Sequence, residues 1–374
     1  MLGRAALAPS GRPNNNSLRL TLGAPPCSLP PRLRMGRRRA RTRPACPISC
    51  STSLNLSPAA HGFIIARDPP TPPPGLEGAI VAIGNFDGVH RGHQAVIERA
   101  RALAQKLGKP CAVLTFEPHP ADFFAGRSVV HRLTPEAAKA QTLARLGLDG
   151  LVVLSFDAQL AAVEASAFVE DILVRRLGVC GVVVGYDFHF GKSRKGSPDF
   201  LRESGERLGF AVEVVEKIAF DARGSLDAVH SSGVRDALER GDAAYARQLL
   251  GRDYFVSGEI IHGAKLGRTI GFPTANLRLH ESCALAHGIY AVRMSVDGRT
   301  WDAVASWGRR PTVDNGAPLL EVYVFDFSGD LYGKDVEVAF VEWIRPELKF
   351  DGLEALTEQI EKDCARAREI LAGC

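Results

Sequence analysis

Ile83-Gly84-Asn85-Phe86-Asp87-Gly88-Val89-His90-Arg91-Gly92-His93 is the stretch that decides the fold. Before it, Ala79-Ile80-Val81-Ala82-Ile83 is an unbroken apolar run of strand length that Gly84 ends. After it, Ala95, Val96, Ala100, Leu103, Ala104 and Leu107 recur at helical spacing, which predicts a helix over Gln94–Leu107. His90 and His93, three positions apart, therefore stand where a strand hands over to a helix. A helix start offers unpaired N–H groups and the positive end of the helix dipole, and both suit a phosphate. Gly84 and Gly88 let an anionic ligand come close to the backbone. A bare His-x-Gly-His is equally compatible with an ordinary surface turn. The full eleven residues between a strand and a helix are far more specific.

The same alternation continues to about residue 217. Strand-like runs at Ala79–Ile83, Cys111–Phe116, Gly150–Ser155, Gly181–Gly185 and Ala211–Val215 are separated by helical patterns at Pro135–Leu146, Glu164–Leu177 and Ser197–Leu208. This order predicts a parallel sheet with helices on both faces, whose ligands bind beyond the carboxyl ends of the strands. Two further turns in that position carry chemistry. Thr115-Phe116-Glu117-Pro118-His119-Pro120 follows the second strand, and Gly185-Tyr186-Asp187-Phe188-His189-Phe190-Gly191 the fourth. Downstream, His230-Ser231-Ser232-Gly233-Val234-Arg235 precedes a helical stretch at Asp236–Arg240. Paired hydroxyls with an arginine there predict a second anion-binding element, with a serine cap as the simpler alternative.

At Tyr254 the pattern changes to period two. Strands are expected at Tyr254–Ile261, Ile289–Val296, Trp301–Ala305, Leu320–Phe325 and Val336–Val341, joined by Gly-rich turns. They predict a small antiparallel barrel after a boundary near 250. Asp351–Leu371 closes the chain as an amphipathic helix, with Asp351 and Glu354 spaced as a capping box. Between the first two barrel strands, Gly263, Lys265, Gly267 and Arg268 suit a loop over phosphates, although Gly-x₄-Gly-Lys-Ser/Thr is absent. Thr274 and Asn276 place two neutral oxygens on one face of an extended chain, fit for a hydrated Mg²⁺. Glu321, in the run Leu319–Phe325, is a candidate base for a hydroxyl proton if it faces inward, and a solvated strand residue otherwise.

Composition bounds the partners. The chain has 374 residues, 45% hydrophobic and 24% charged, and a net charge of +4. Residues 1–67 hold eleven of the 46 basic residues and none of the 42 acidic ones, so the remainder sets 35 basic against 42 acidic. That balance argues against nucleic-acid or membrane-surface partners. Residues 1–78, rich in Arg, Pro, Ser and Asn, are expected to be a disordered tail. An acid-free, Arg-rich start resembles an organellar transit segment. The favoured alternative is a start codon assigned upstream of the true one, with Phe63-Ile64-Ile65 near the true beginning. The eight cysteines are scattered without a Cys-x-x-Cys pair, which points to a reducing compartment, the cytoplasm, with no zinc site or disulfide framework.

From about 79 to 371 the chain resembles the bacterial bifunctional riboflavin kinase/FAD synthetase family. The resemblance rests on Gly84–His93, Phe116–Pro120, Gly185–Gly191, Gly267–Asn276, Gly308-Arg309-Arg310-Pro311-Thr312 and Asp330-Leu331-Tyr332-Gly333, in that order. It implies a Rossmann-like nucleotidyltransferase α/β domain over 79–250, then a riboflavin kinase barrel with a C-terminal helix over 251–374. It further implies that ATP phosphorylates riboflavin to FMN, and that a second ATP adenylylates FMN to FAD with release of pyrophosphate. On the same resemblance Thr274 and Asn276 hold Mg²⁺, Glu321 activates the riboflavin hydroxyl, and His90 and His93 stabilise the phosphates of the second ATP, with Asn85 and Asp87 shaping the turn. Ser231, Ser232 and Arg235 match a second phosphate motif, and Phe116, His119, Asp187 and Phe190 line flavin and nucleotide pockets. There are departures. Ser232-Gly233-Val234-Arg235 stands where Thr-x-Ile-Arg is usual, His230 where a serine is common, and Trp307 where a smaller aliphatic is usual. Two rival readings, a silent kinase half and a non-catalytic flavin sensor, run against the intact set Thr274, Asn276 and Glu321.

Overall fold

Each strand expected of the first half forms, and one more joins them. The computed structural model describes residues 62–217, 229–263, 266–279, 282–283, 285–308 and 318–373. The first sheet is built from β1 (Ile64–Arg67), β2 (Ile80–Ile83), β3 (Cys111–Glu117), β4 (Gly150–Ser155), β5 (Gly181–Gly185) and β6 (Ala211–Val215). All pair in parallel in the order β1-β4-β3-β2-β5-β6. Winding reverses between β2 and β5, which opens a crevice at their carboxyl ends. β1 comes from the stretch read as tail. Its pairing with β4, and Leu76 at 2% exposure, show that the folded part begins before residue 79. The Pro-rich composition of 69–74 concealed a four-residue edge strand. Residues 1–61 lie outside the described residues.

The connecting helices are α1 (Arg91–Leu107), α2 (Pro120–Ala125), α3 (Glu136–Arg145), α4 (Ala158–Ala161), α5 (Ala165–Ala167) and α6 (Pro198–Leu208). A π-helical stretch, Phe168–Arg176, continues α5. Strand residues alternate between two cores. Ile80 and Ala82 face Val96, Ile97 and Leu103 of α1 with Leu143 of α3. Val81 and Ile83 face Phe168, Val169, Ile172 and Leu173, with Leu201 of α6. Each such large apolar side chain, fully buried, is worth roughly 1.5–3 kcal/mol, so these two faces hold the sheet.

Two helices follow, α7 (Ser231–Glu239) and α8 (Ala243–Leu250). α7 begins at Ser231, so Ser231, Ser232 and Arg235 lie on its first turns and do not precede it. Its cap, His230, makes no side-chain capping bond. The barrel comprises β7 (Tyr254–Ile261), β8 (Ala275–Leu277), β9 (Gly288–Val296), β10 (Arg299–Gly308), β11 (Leu319–Val324) and β12 (Asp335–Arg345), with α9 (Leu266–Thr269) between β7 and β8. The strands close in the order β10-β11-β8-β7-β12-β9. Val234, Leu238, Ala246 and Leu249 of α7 and α8 share one core with Tyr290, Val322 and Phe340 of the barrel. The segment read as the end of the first domain is thus packed on the second. α10 (Leu353–Ala372) lies on the barrel's outside through Ala367, Ile370 and Leu371. Its cap is Gly352 without a side-chain bond, so the capping box is not realised, and Leu353 at 57% exposure does not join the buried face.

Candidate active sites

The turn after β2 is held in a costly conformation. Phe86 and Val89 both have positive φ, 48° and 43°, and a β-branched residue there is a true outlier. Each such residue costs on the order of 1–3 kcal/mol and persists only where its surroundings fix it. Both side chains are buried, at 1% and 0% exposure. Asp87 provides the main restraint. Its carboxylate accepts from Leu133 N at 3.2 Å, Thr134 N at 3.0 Å, Thr134 Oγ1 at 3.3 Å and Arg235 Nη2 at 2.6 Å. Gly88 N donates to Thr134 Oγ1 at 2.8 Å, and Ser231 Oγ to the Asp87 carbonyl at 2.9 Å.

The turn delivers His90 as the cap of α1, which is why the helix starts at Arg91, three residues before the expected start at Gln94. His90 Nδ1 accepts from His93 N at 3.3 Å, so the neutral ring carries its proton on Nε2, as a donor. The His90 and His93 rings stack at 3.7 Å, and His93 also lies 5.0 Å from the Phe86 ring. Burial pushes the His90 imidazole down to about 4, with His230 acting in the same direction and Asp87 against it. Burial, then the neighbouring His90, also holds His93 well below the ordinary imidazole range. Two neutral imidazoles at a helix N-terminus can donate to phosphate oxygens without competing as bases. Gly92 leaves them room: a Cβ there would come 3.2 Å from the His90 ring.

These groups open on a cavity of about 820 Å³ lined by the carboxyl ends of β2, β3, β5 and β6. Of the residues expected at this site, Gly84, Asn85, Asp87, His90, His93, Phe116, His119, Asp187, Phe190, Ser231 and Arg235 line it. Gly88 turns to Thr134 instead, and Ser232 is exposed away from it. Arg235 donates through Nη2 to Asp87 and through Nε to the His131 carbonyl at 2.7 Å, so much of its guanidinium braces the turn. One wall is aromatic. Phe116 lies 6.1 Å from Phe156, and Phe188 stacks on Phe190 at 5.6 Å. His119 caps α2 through Ala121 N and sits with Nε2 3.2 Å from Asn85 Nδ2.

Several contributors were not legible. Lys139, 1% exposed, donates to the Asn85 carbonyl at 2.9 Å and to Glu117 Oε1 at 3.1 Å, and Arg132 pairs with Glu117 at 2.9 Å. A lysine four positions before Leu143, on an apolar helical stripe, was the available signal. Thr134, Phe124 and Phe156 had none.

The barrel carries the second group. β8 places Asn276 directly across from Glu321 of β11. Leu320, Val322 and Val324 fill the barrel core, so Glu321 stands half-buried on the other strand face, beside Asn276 and not in the interior. Asn276 is 4% exposed, and its Nδ2 donates to the Thr274 carbonyl at 3.3 Å. Gly263 passes so close that a Cβ would meet the Asn276 amide at 2.5–2.7 Å, and one on Gly267 would come 3.7 Å from Thr274 Oγ1. Gly263, Gly267, Thr274, Asn276 and Glu321 therefore meet in one place. Arg268 is exposed on α9. Lys265 and the motif 309–312 lie outside the described residues. Two neutral oxygens with one carboxylate fit a hard cation that keeps several waters and takes phosphate oxygens. Among the described residues no group of three His, Cys, Asp or Glu could hold a metal.

Comparison with known proteins agrees with this division. The family model for FAD synthetase matches residues 73–225, and that for riboflavin kinase matches 250–371. A bifunctional riboflavin kinase/FMN adenylyltransferase from Pseudomonas fluorescens is 42% identical over 300 residues, 80% of this chain and 95% of that protein. The chain belongs to the bifunctional riboflavin kinase/FMN adenylyltransferase family. The Escherichia coli K12 member is 38% identical, covering 78% of this chain and 93% of its own length. A crystal structure described as a macrolide-efflux protein from Streptococcus pneumoniae has 30% identity and a TM-score of 0.70, over 82% of this chain and 99% of that one. Its description names a transport role, whereas no helix among the residues described here is long and apolar enough to cross a membrane.

Proposed function

We propose that the cavity at the sheet's carboxyl edge is the FMN adenylyltransferase site, and that the Gly263–Asn276–Glu321 cluster is the riboflavin kinase site. The protein makes FAD from riboflavin in two steps, as both family models support. The observation that carries the reading is the pairing of two separate phosphate-suited clusters, one on each half of one chain. In the barrel, the riboflavin 5′-hydroxyl attacks the γ-phosphorus of ATP, Glu321 accepts the hydroxyl proton, and ADP leaves. Thr274 and Asn276 orient the phosphates with Gly263 and Gly267 lying against them. Mg²⁺, held by Thr274 and Asn276, supplies neutralisation of phosphate charge when bound.

In the sheet domain, a phosphate oxygen of FMN attacks the α-phosphorus of a second ATP, and the bond to the bridging oxygen breaks as pyrophosphate leaves. His90 Nε2 and the first N–H groups of α1 donate to the charge that develops. The aromatic wall of Phe116, Phe156, Phe188 and Phe190 suits the flavin ring, with His119 and Asp187 at its polar margin. Free thiols at Cys111, Cys180, Cys283 and Cys364 support a cytoplasmic setting. Purified protein given riboflavin, ATP and Mg²⁺ should yield FMN and then FAD. Finding neither product would sink the reading.

A further inference from the structure

We infer that Gln94 is a positioning residue for adenylyl transfer, tying the strained turn to the chain segment that leads into the barrel. The inference rests on the reading of Gly84–His93 as the adenylyl-transfer site. Gln94 does not line the cavity. Its Nε2 donates to the Val89 carbonyl at 2.9 Å and to the Leu250 carbonyl at 2.7 Å, which uses both hydrogens of the amide. Val89 holds one of the turn's two strained backbones and immediately precedes His90, so its carbonyl sets the peptide plane entering His90. Leu250 ends α8, and its carbonyl is among those that a helix leaves without an internal partner.

The tie runs both ways. Arg91 Nε donates to the Gln248 carbonyl at 2.8 Å. Arg252, two residues past α8, returns to the Gly88 carbonyl through Nη2 at 3.0 Å. Gly251 between them has φ 73°, and a Cβ there would stand 3.2 Å from Gln94 Oε1. The carbonyls of the two positive-φ residues before His90 are therefore held by side chains bonded to, or belonging to, the segment 248–252. Without the Gln94 amide, Val89 can relax toward negative φ, which rotates the 89–90 peptide and moves His90 off its stack on His93. Gln94 touches no substrate, so the loss falls on the chemical step and leaves binding largely intact.

Gln94→Met keeps the length of the side chain and lacks both donors. With FMN and ATP it should lower kcat for FAD formation roughly tenfold or more, while either KM changes less than about threefold. Riboflavin phosphorylation by the same chain should stay within about twofold, and the melting temperature should shift by no more than about 4 °C. Arg252→Lys, which retains a donor, should keep most FAD formation, and Arg252→Met should lose it. FAD formation by Gln94→Met within about twofold of the parent overturns the inference. So does an equal fall in both activities, or a larger drop in melting temperature, since Gln94 would then support only the fold. His93→Ala assayed alongside separates the two readings. If it keeps FAD formation the site assignment fails, and if it alone loses FAD formation only the role of Gln94 fails.

Discussion

The two phosphate-suited clusters are built in opposite ways. In the β2–α1 turn the backbone is strained at Phe86 and Val89, and ties to distant residues hold it: Asp87 to Thr134 and Arg235, and Gln94 to the Leu250 carbonyl. In the barrel the geometry follows from strand register alone, Asn276 opposite Glu321, with Gly263 lying against the amide. The first arrangement stores strain in order to present two neutral imidazoles, and through Asp87 and Gln94 it depends on residues 46 to 156 positions away. The second needs only its own ladder. A strained site should therefore be broken from afar, and a register-built site only from within.

The largest expected effect tests the first half of that contrast. Asp87→Ala should destabilise the protein by about 3–5 kcal/mol, because it leaves Arg235 without its carboxylate and two buried N–H groups without acceptors. Urea unfolding measures this, and a loss below about 1 kcal/mol would mean that the turn is not held through Asp87. Next, Asn276→Ala should reduce FMN formation about a hundredfold while FAD formation from supplied FMN is unchanged. Equal losses in the two assays would show that the sites are not separate.

Acid titration sharpens the contrast further. His90 and His131 both fold with burial pushing their imidazoles to about 4, from an ordinary 6.5. Between those values the unfolded chain binds protons that the folded one refuses, so stability falls as pH drops from 6.5 toward 4 and is fully present above 6.5. The cost is on the order of 2–3 kcal/mol per histidine at the low end. Both His131 ring nitrogens are buried without a partner in the structure, so His131→Phe should flatten urea midpoints measured across this window. An unchanged slope would count against its acid sensitivity. The smallest effect belongs to the barrel. Gly263→Ala should slow FMN formation by about tenfold through the Asn276 amide, with FAD formation from FMN unaltered. Wild-type FMN formation would show that the loop shifts freely.

Much of this was readable because the strongest signals are local. Ala79–Ile83 is a short apolar run ended by Gly84, which reads as a buried strand, and Val81 and Ile83 indeed alternate with Ile80 and Ala82 between two cores. The three turns at the sheet edge announced a site by their residues and converge on one cavity. What failed to show depends on distance. β1 is four residues that become a strand only by pairing with β4, and β8 is three residues enclosed between β7 and β11. Arg235 reads as a phosphate ligand because sequence shows its charge, whereas the fold spends much of its guanidinium on Asp87 of the turn and on the His131 carbonyl. From sequence Glu321 is open between an inward base and a solvated strand residue, and the alternation with Leu320 and Val322 puts it on the face away from the core, beside Asn276.

The central claim is that one chain carries two separable transfer sites, and His93→Ala tests it most directly. The variant is incubated with riboflavin, ATP and Mg²⁺, and flavins are resolved over time. FMN should accumulate at the parental rate with FAD absent. Parental FAD formation, or loss of FMN together with FAD, would contradict it.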